Sequence, residues 1–261
     1  MEQHRERITT AIVTGAGRGI GAATAKRLAA AGHRVGVFDI REEEAQQVAA
    51  AIAAAGGQAL ALRCDVGRRD EVERAIAEVE RQWGEPPLVL VNNAGVGGPF
   101  HRVDEVSDEE WDWIVNTNLR SVFLFARRLL PSMKERGFGR IVNIASIQGL
   151  LGSAHSSTYV ASKHGMIGYT KTIAAEWGPY GITCNAICPG YVDTALGVQP
   201  DAIADYMRRV MAKSPVKRIA LPDEIAALAE HLIGPHGGYI NGASYTIDGG
   251  ISAHVGITDD L

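Results

Sequence analysis

Thr10-Ala11-Ile12-Val13-Thr14-Gly15-Ala16-Gly17-Arg18-Gly19-Ile20-Gly21 is the stretch that decides the fold. Thr10 to Val13 is a continuous apolar, β-branched run, the pattern of a strand buried on both faces. Gly15, Gly17, Gly19 and Gly21 then impose a turn, and Ile20 to Ala31 reads as a helix. Glycine reaches positive φ and lets backbone approach a ligand closely, so a strand, a glycine turn and a helix present N–H groups to an anion such as a pyrophosphate. Gly17-x-Gly19-x-x-Ala22 satisfies the spacing of a dinucleotide-binding turn. Alone that match is weak; a strand before it, a helix after it and an acid ending the next strand strengthen it.

The same alternation continues outward. Strands are read at Val35–Asp39, Ala59–Asp65, Leu88–Val91, Ile141–Ile144, Ile182–Ile187 and Ser244–Ile247. Helices are read at Glu42–Ala55, Asp70–Trp83, one long element Asp108–Met133, Thr158–Trp177 and Asp223–Leu232. Apolar strands separated by helices predict an α/β fold with a parallel sheet covered on both faces. Seven strands with helical crossovers make it a doubly wound, Rossmann-type sheet, and no linker divides residues 1–261 into two domains.

Composition narrows the function. Lys and Arg number 26 against 30 Asp and Glu, a net charge of −4, which excludes the basic footprint of a nucleic-acid or anionic-membrane binder. No apolar run reaches the ~18 residues of a membrane span, and Met1–Arg7 does not lead into a signal-peptide core. Cys64, Cys184 and Cys188 form no paired framework; Cys184 and Cys188 read as half-buried strand residues rather than metal ligands. A reduced, cytoplasmic protein with a small-molecule substrate and no metal is expected. The 30 glycines exceed the average usage of roughly 7%, and they cluster where a dinucleotide would need backbone space.

Asp39 ends the second strand, 18 residues after Gly21. A carboxylate there accepts from ribose hydroxyls and repels a 2′-phosphate, which favours NAD; Arg18 and Arg41 are close enough in sequence to leave NADP open. Asp65 ends the third strand, either as a loop carboxylate or in contact with adenine. Tyr159 and Lys163 stand four apart on one helix face. A free phenol near pKa ~10 is a poor base at neutral pH, and a neighbouring ammonium is expected to lower that value. Ser146 follows the fifth strand, at the carboxyl edge where open α/β sheets bind ligands.

Together with Asp65-Val66, Asn92-Asn93-Ala94-Gly95, Asn118, Asn185 and Pro189-Gly190, these motifs give the sequence a clear resemblance to the short-chain dehydrogenase/reductase family along nearly its whole length. The resemblance implies a catalytic tetrad of Asn118, Ser146, Tyr159 and Lys163. In it, Tyr159 moves the substrate proton, Ser146 holds the substrate oxygen, Lys163 binds the nicotinamide ribose and tunes Tyr159, and Asn118 holds a water. It implies cofactor contacts from Gly15, Gly17, Arg18, Gly19, Ile20, Gly21, Asp39, Asp65, Val66, Asn92, Ala94, Gly95, Tyr159, Lys163, Pro189, Gly190, Val192 and Thr194, with Asn92 to Gly95 also stabilising the central strand.

The reaction implied is the NAD(P)-dependent interconversion of a secondary alcohol and a ketone, within a branch similar to 3-oxoacyl reductases and D-3-hydroxybutyrate dehydrogenases. Gln148, His155 and Tyr191 are candidate substrate contacts, and residues 195–221 a lid. The hydroxybutyrate enzymes carry a lysine shortly before the catalytic tyrosine; His155-Ser156-Ser157-Thr158 has none, so a neutral carbonyl or acyl thioester fits better than a free acid. A sugar or polyol dehydrogenase is the enzymatic alternative, and a non-catalytic dinucleotide-binding sensor the alternative of another class. Ala161, Gly165, Gly168 and Ala175 suggest either core packing or the helical face through which relatives form tetramers. Ile251–Leu261 is expected to reach a neighbouring subunit.

Overall fold

The computed structural model describes residues 9–194, 208–210 and 212–253. Strand β1 (Thr10–Thr14) leads through the glycine turn into helix α1 (Gly19–Ala30), followed by β2 (Arg34–Asp39), α2 (Glu42–Ala54), β3 (Gln58–Arg63), α3 (Arg69–Trp83) and β4 (Val89–Asn92). The second half runs α4 (Asp108–Val115), α5 (Ser121–Glu135), β5 (Gly139–Ile144), α6 (Ser157–Trp177), β6 (Ile182–Pro189), α7 (Pro222–Ile233) and β7 (Ser244–Ile247). The sheet order is β3-β2-β1-β4-β5-β6-β7, parallel throughout. The chain winds one way from β1 to β3, then crosses back to β4. The β1/β4 boundary is therefore the topological switch point, beyond whose carboxyl ends ligands bind.

Strand alternation sorts the core into two layers. Ala11, Val13, Val35, Val37, Val89 and Val91 face a layer built with Leu28 of α1, Ile52 of α2 and Leu232 of α7. Ile12, Phe38, Leu90 and Ile141 face the opposite layer, with Ile76 of α3, Phe125 and Leu129 of α5 and Ile173 of α6. Each such side chain contributes roughly 1.5–3 kcal/mol by leaving water. Burial of both faces is why these strands read as unbroken apolar runs. Cys184 and Cys188 on β6 are fully buried rather than half-buried, and burial pushes the Cys184 thiol up to about 12.

The expected single helix Asp108–Met133 is interrupted. Between α4 and α5, Asn116–Arg120 form a π turn in which the Ser121 N–H donates to the Asn116 carbonyl. Ser121 Oγ also donates to the Thr117 carbonyl at 2.6 Å, and the Asn118 side chain bonds outside the helix. Short polar side chains that compete for backbone partners disfavour a regular α turn here. Strand β6 runs two residues past the expected Ile187. Among the described residues no helix is long and apolar enough to cross a membrane. Of the expected lid, residues 195–207 and 211 lie outside the described residues, as do 254–261 of the tail.

Candidate active site

The glycine turn is shaped by close approach. Gly15 and Gly19 have φ of +60° and +55°, values that side chains disfavour. A Cβ on Gly21 would lie 2.2 Å from the Gly15 carbonyl oxygen and 2.5 Å from Asn93 Nδ2, so α1 packs against the turn only with glycine there. Asn93 Nδ2 donates to the carbonyls of Thr14 (2.9 Å) and Gly15 (3.0 Å), while Thr14 Oγ1 accepts from the backbone N–H groups of Asn93 and Ala94, both at 3.0 Å. The segment after β4 is thus laced to the turn across the switch point. Arg18, the residue before α1, makes no side-chain cap, leaving the first-turn N–H groups of Gly19 and Ile20 to face an anion.

Asp39 is buried at the end of β2. Its Oδ2 accepts from Gly17 N at 2.9 Å and its Oδ1 from Arg41 N at 3.0 Å. Asp65 Oδ1 accepts from Gly67 N at 3.0 Å, a loop-turning role, beside the buried Val66. The Asn92 side chain is buried in the sheet, where Nδ2 donates to Asn143 Oδ1 at 2.8 Å and ties β4 to β5, the strand-stabilising place expected of it. Any contact from Asn92 to a cofactor would come from its backbone, and Asn93 of the same motif braces the turn.

On the far side, a Cβ on Gly190 would meet Asp248 Cβ at 2.7 Å, which seats the Pro189-Gly190 turn against the end of β7. Val192 forms a bridge to Ala220, with Asp193 N donating to the Ala220 carbonyl and Ala220 N to the Tyr191 carbonyl. The Thr194 side chain comes within 3.0 Å of a Cβ placed on Gly19, bringing this turn over the start of α1. Bare glycine backbone, an uncapped helix start and a buried carboxylate on one strand edge fit the pyrophosphate and adenosine ribose of a nicotinamide dinucleotide.

The tetrad residues converge between β4, β5 and α6. Ser146 follows β5 by two residues; its Oγ accepts from Gln148 N at 3.1 Å and lies near the Tyr159 phenol. Lys163 is 3% exposed, donates from Nζ to the Ile144 carbonyl at 2.8 Å, and lies 5.5 Å from the centre of the Tyr159 ring. Burial lowers the Lys163 ammonium to about 8. The expected lowering of Tyr159 is not what the structure gives. Burial holds its phenol above the ordinary value, opposed by the nearby Ser146 hydroxyl. The ammonium, 5.5 Å from the ring centre, does not offset this burial, so desolvation dominates.

Asn118, fully buried in the π turn, accepts from Val96 N at 2.8 Å and donates to the Val96 carbonyl (2.9 Å) and to Ser162 Oγ (3.2 Å). Both amide hydrogens are engaged, so the expected water would meet only its free acceptor positions. A Cβ on Gly95 would sit 3.3 Å from Asn118 Oδ1 and 3.6 Å from Lys163 Nζ, so bare backbone faces both groups. Of the candidate substrate contacts, Gln148 is half-buried with Oε1 buried and unpartnered, Tyr191 is half-buried, and His155 is exposed with φ +60°. Asn143, which bonds Asn92 and Thr170 Oγ1 (2.9 Å), and Ser162 were missed; polar residues inside apolar runs were the available signal.

A family model described as enoyl-(acyl carrier protein) reductase matches residues 15–252. The chain is 37% identical over 240 residues to cyclohexanol dehydrogenase of Acinetobacter sp. (strain SE19), covering 92% of this chain and 93% of the relative. It is 37% identical over 252 residues to D-beta-hydroxybutyrate dehydrogenase of Cupriavidus necator, covering 92% and 96%. The solved structure of levodione reductase superposes with a TM-score of 0.87 at 33% identity, covering 95% of this chain and 99% of that one. The chain belongs to the short-chain dehydrogenase/reductase family, as an NAD(P)-dependent oxidoreductase that interconverts a secondary alcohol and a ketone.

Proposed function

We propose that the enzyme uses NAD in preference to NADP and acts on a neutral ketone, secondary alcohol or 3-oxoacyl thioester, with Tyr159, Ser146, Lys163 and Asn118 as its working set. The observation that carries the reading is the buried Lys163 ammonium, 5.5 Å from the centre of the Tyr159 ring and bonded to the Ile144 carbonyl, with Ser146 beside the phenol at the sheet edge that the glycine turn also faces. Asp39 supports NAD, since a 2′-phosphate would meet a buried carboxylate. A neutral substrate is supported by the lack of a lysine between Ser146 and Tyr159 and by Phe100, Leu150 and Leu151, exposed by 62%, 43% and 46% on the segments after β4 and β5. A free acid would need a buried cation to offset desolvation. The name of the Cupriavidus relative supplies the competing reading, a small hydroxy acid. Three unpaired buried thiols suit a cytoplasmic setting.

Bound on the glycine turn, a nicotinamide dinucleotide supplies or accepts the hydride. The chain's part is the proton. Tyr159 keeps its proton at neutral pH because burial disfavours the phenolate, and it delivers that proton to the substrate oxygen held by Ser146. The Lys163 ammonium then stabilises the phenolate left behind, an interaction strengthened by the low dielectric around it. Asn118 fixes Val96 and Ser162 so that the site keeps its shape.

The test is a panel of cyclohexanol, 3-hydroxybutyrate and a 3-oxoacyl thioester with NAD(H) and NADP(H), on wild type and Tyr159→Phe. Neutral substrates with NAD(H) should lead, and the variant should lose at least about 10³-fold in kcat while binding NADH normally, a loss on the scale of general acid catalysis. Variant turnover above a few per cent sinks the Tyr159 role, and preferred 3-hydroxybutyrate sinks the neutral substrate.

A further inference from the structure

Asp39 alone leaves cofactor discrimination incomplete, because Arg41 stands two residues away and is a natural partner for a 2′-phosphate. In the structure that guanidinium is already held. Arg41 Nε lies 3.1 Å from Glu44 Oε1 and 3.8 Å from Asp39 Oδ1. Glu44 differs from its neighbours at the start of α2: Glu42 and Glu43 are exposed, as acids favouring a helix N-terminus usually are. Glu44 instead lies over the glycine turn, its Cβ 2.8 Å from where a Cβ on Gly17 would be, in the same place that Asp39 Oδ2 approaches to 2.9 Å. Its second oxygen, Oε2, is buried without a hydrogen-bond partner. Buried acceptors are seldom left this way, and a carboxylate whose Cβ packs against Gly17 adds a negative charge that repels a phosphate there.

We propose that Glu44 is a second specificity-determining carboxylate of the adenosine ribose site, which holds Arg41 away from a 2′-phosphate and leaves the cluster Asp39–Arg41–Glu44 with a net negative charge. This rests on the reading that the glycine turn and Asp39 receive that ribose. The readout is direct binding: calorimetric Kd values for NAD⁺ and NADP⁺ on wild type, Glu44→Ala, Glu44→Gln, Arg41→Ala and the Arg41→Ala/Glu44→Ala double variant. Alanine keeps the Cβ and favours the helix, and glutamine keeps the side chain's size. The ratio Kd(NADP⁺)/Kd(NAD⁺) should fall about 10-fold in Glu44→Ala, the effect of one charge-assisted hydrogen bond gained by the released Arg41. It should also fall in Glu44→Gln, and the Glu44→Ala shift should mostly vanish in the Arg41→Ala background. A fall below about 3-fold in Glu44→Ala, or an equal fall with Arg41 absent, overturns the proposal. The wild-type ratio tests NAD preference separately: tighter NADP⁺ binding by wild type defeats that preference, while the change caused by Glu44→Ala still decides the role of Glu44.

Discussion

Lys163 carries its ammonium into a site where it is 3% exposed and has one hydrogen bond, to the Ile144 carbonyl. Burial brings its pKa from 10.5 to about 8, so this buried charge weakens the fold. Below pH 8 the lysine is charged in both folded and unfolded chains, and the folded state bears the whole desolvation cost. Between 8 and 10.5 the unfolded chain retains a proton that the folded chain has released, so stability rises with pH through that window. Lys163→Met removes this dependence. Urea unfolding at pH 7 and pH 10 should show wild type gaining about 2–3 kcal/mol on the variant. A constant difference would mean that Lys163 is not a buried cation. The variant should be inactive whatever its stability, which separates the functional role of the charge from any contribution to folding.

At the scale of elements, the π turn between α4 and α5 ties the candidate site together. Asn118 closes a paired contact with the N–H and carbonyl of Val96 and reaches Ser162 on α6, linking three segments. Asn118→Ala leaves both backbone groups of Val96 without these partners. A loss of about 2–3 kcal/mol in stability is expected, with faster hydrogen exchange at the Val96 amide and a fall in kcat. Unchanged exchange there would show that Asn118 does not hold the loop. This element was not legible in the sequence. The apolar positions of Asp108–Met133 keep helical spacing through the interruption, and the cause is a bond to a residue 22 positions away. The seven strands were legible because burial on both faces makes each an unbroken apolar run. Asn92 and Asn93 mark the limit of such reading. They are adjacent and chemically identical, and only the change of direction at the end of β4 sends one amide into the sheet and the other to the glycine turn.

Across the whole molecule, the glycine turn lies at the switch point, and α6 leaves a bare outer face along its length. Ala161, Gly168 and Ala175 are exposed at every seventh residue of α6, so core packing does not account for their small size. Beside them, Val115, Leu119, Arg120 and Phe123 from the α4–α5 segment and Gly165, Gly168, Tyr169 and Thr172 from α6 line an open groove of about 510 Å³. Phe123 is 39% exposed there, and a Cβ on Gly168 would meet nothing within 4 Å. An apolar, small-residue stripe of this kind lets two helices approach closely, and we predict that the chain assembles through this face into a homotetramer. Gly168→Glu places a long charged side chain on the stripe without touching its own protomer, and replaces glycine by a better helix former. Sedimentation velocity at micromolar concentration should give a tetramer for wild type and a smaller species for the variant, whose circular dichroism stays unchanged. A monomeric wild type would refute the assembly, and a tetrameric Gly168→Glu would place the interface elsewhere, since a charge buried unpaired at a subunit contact costs several kcal/mol.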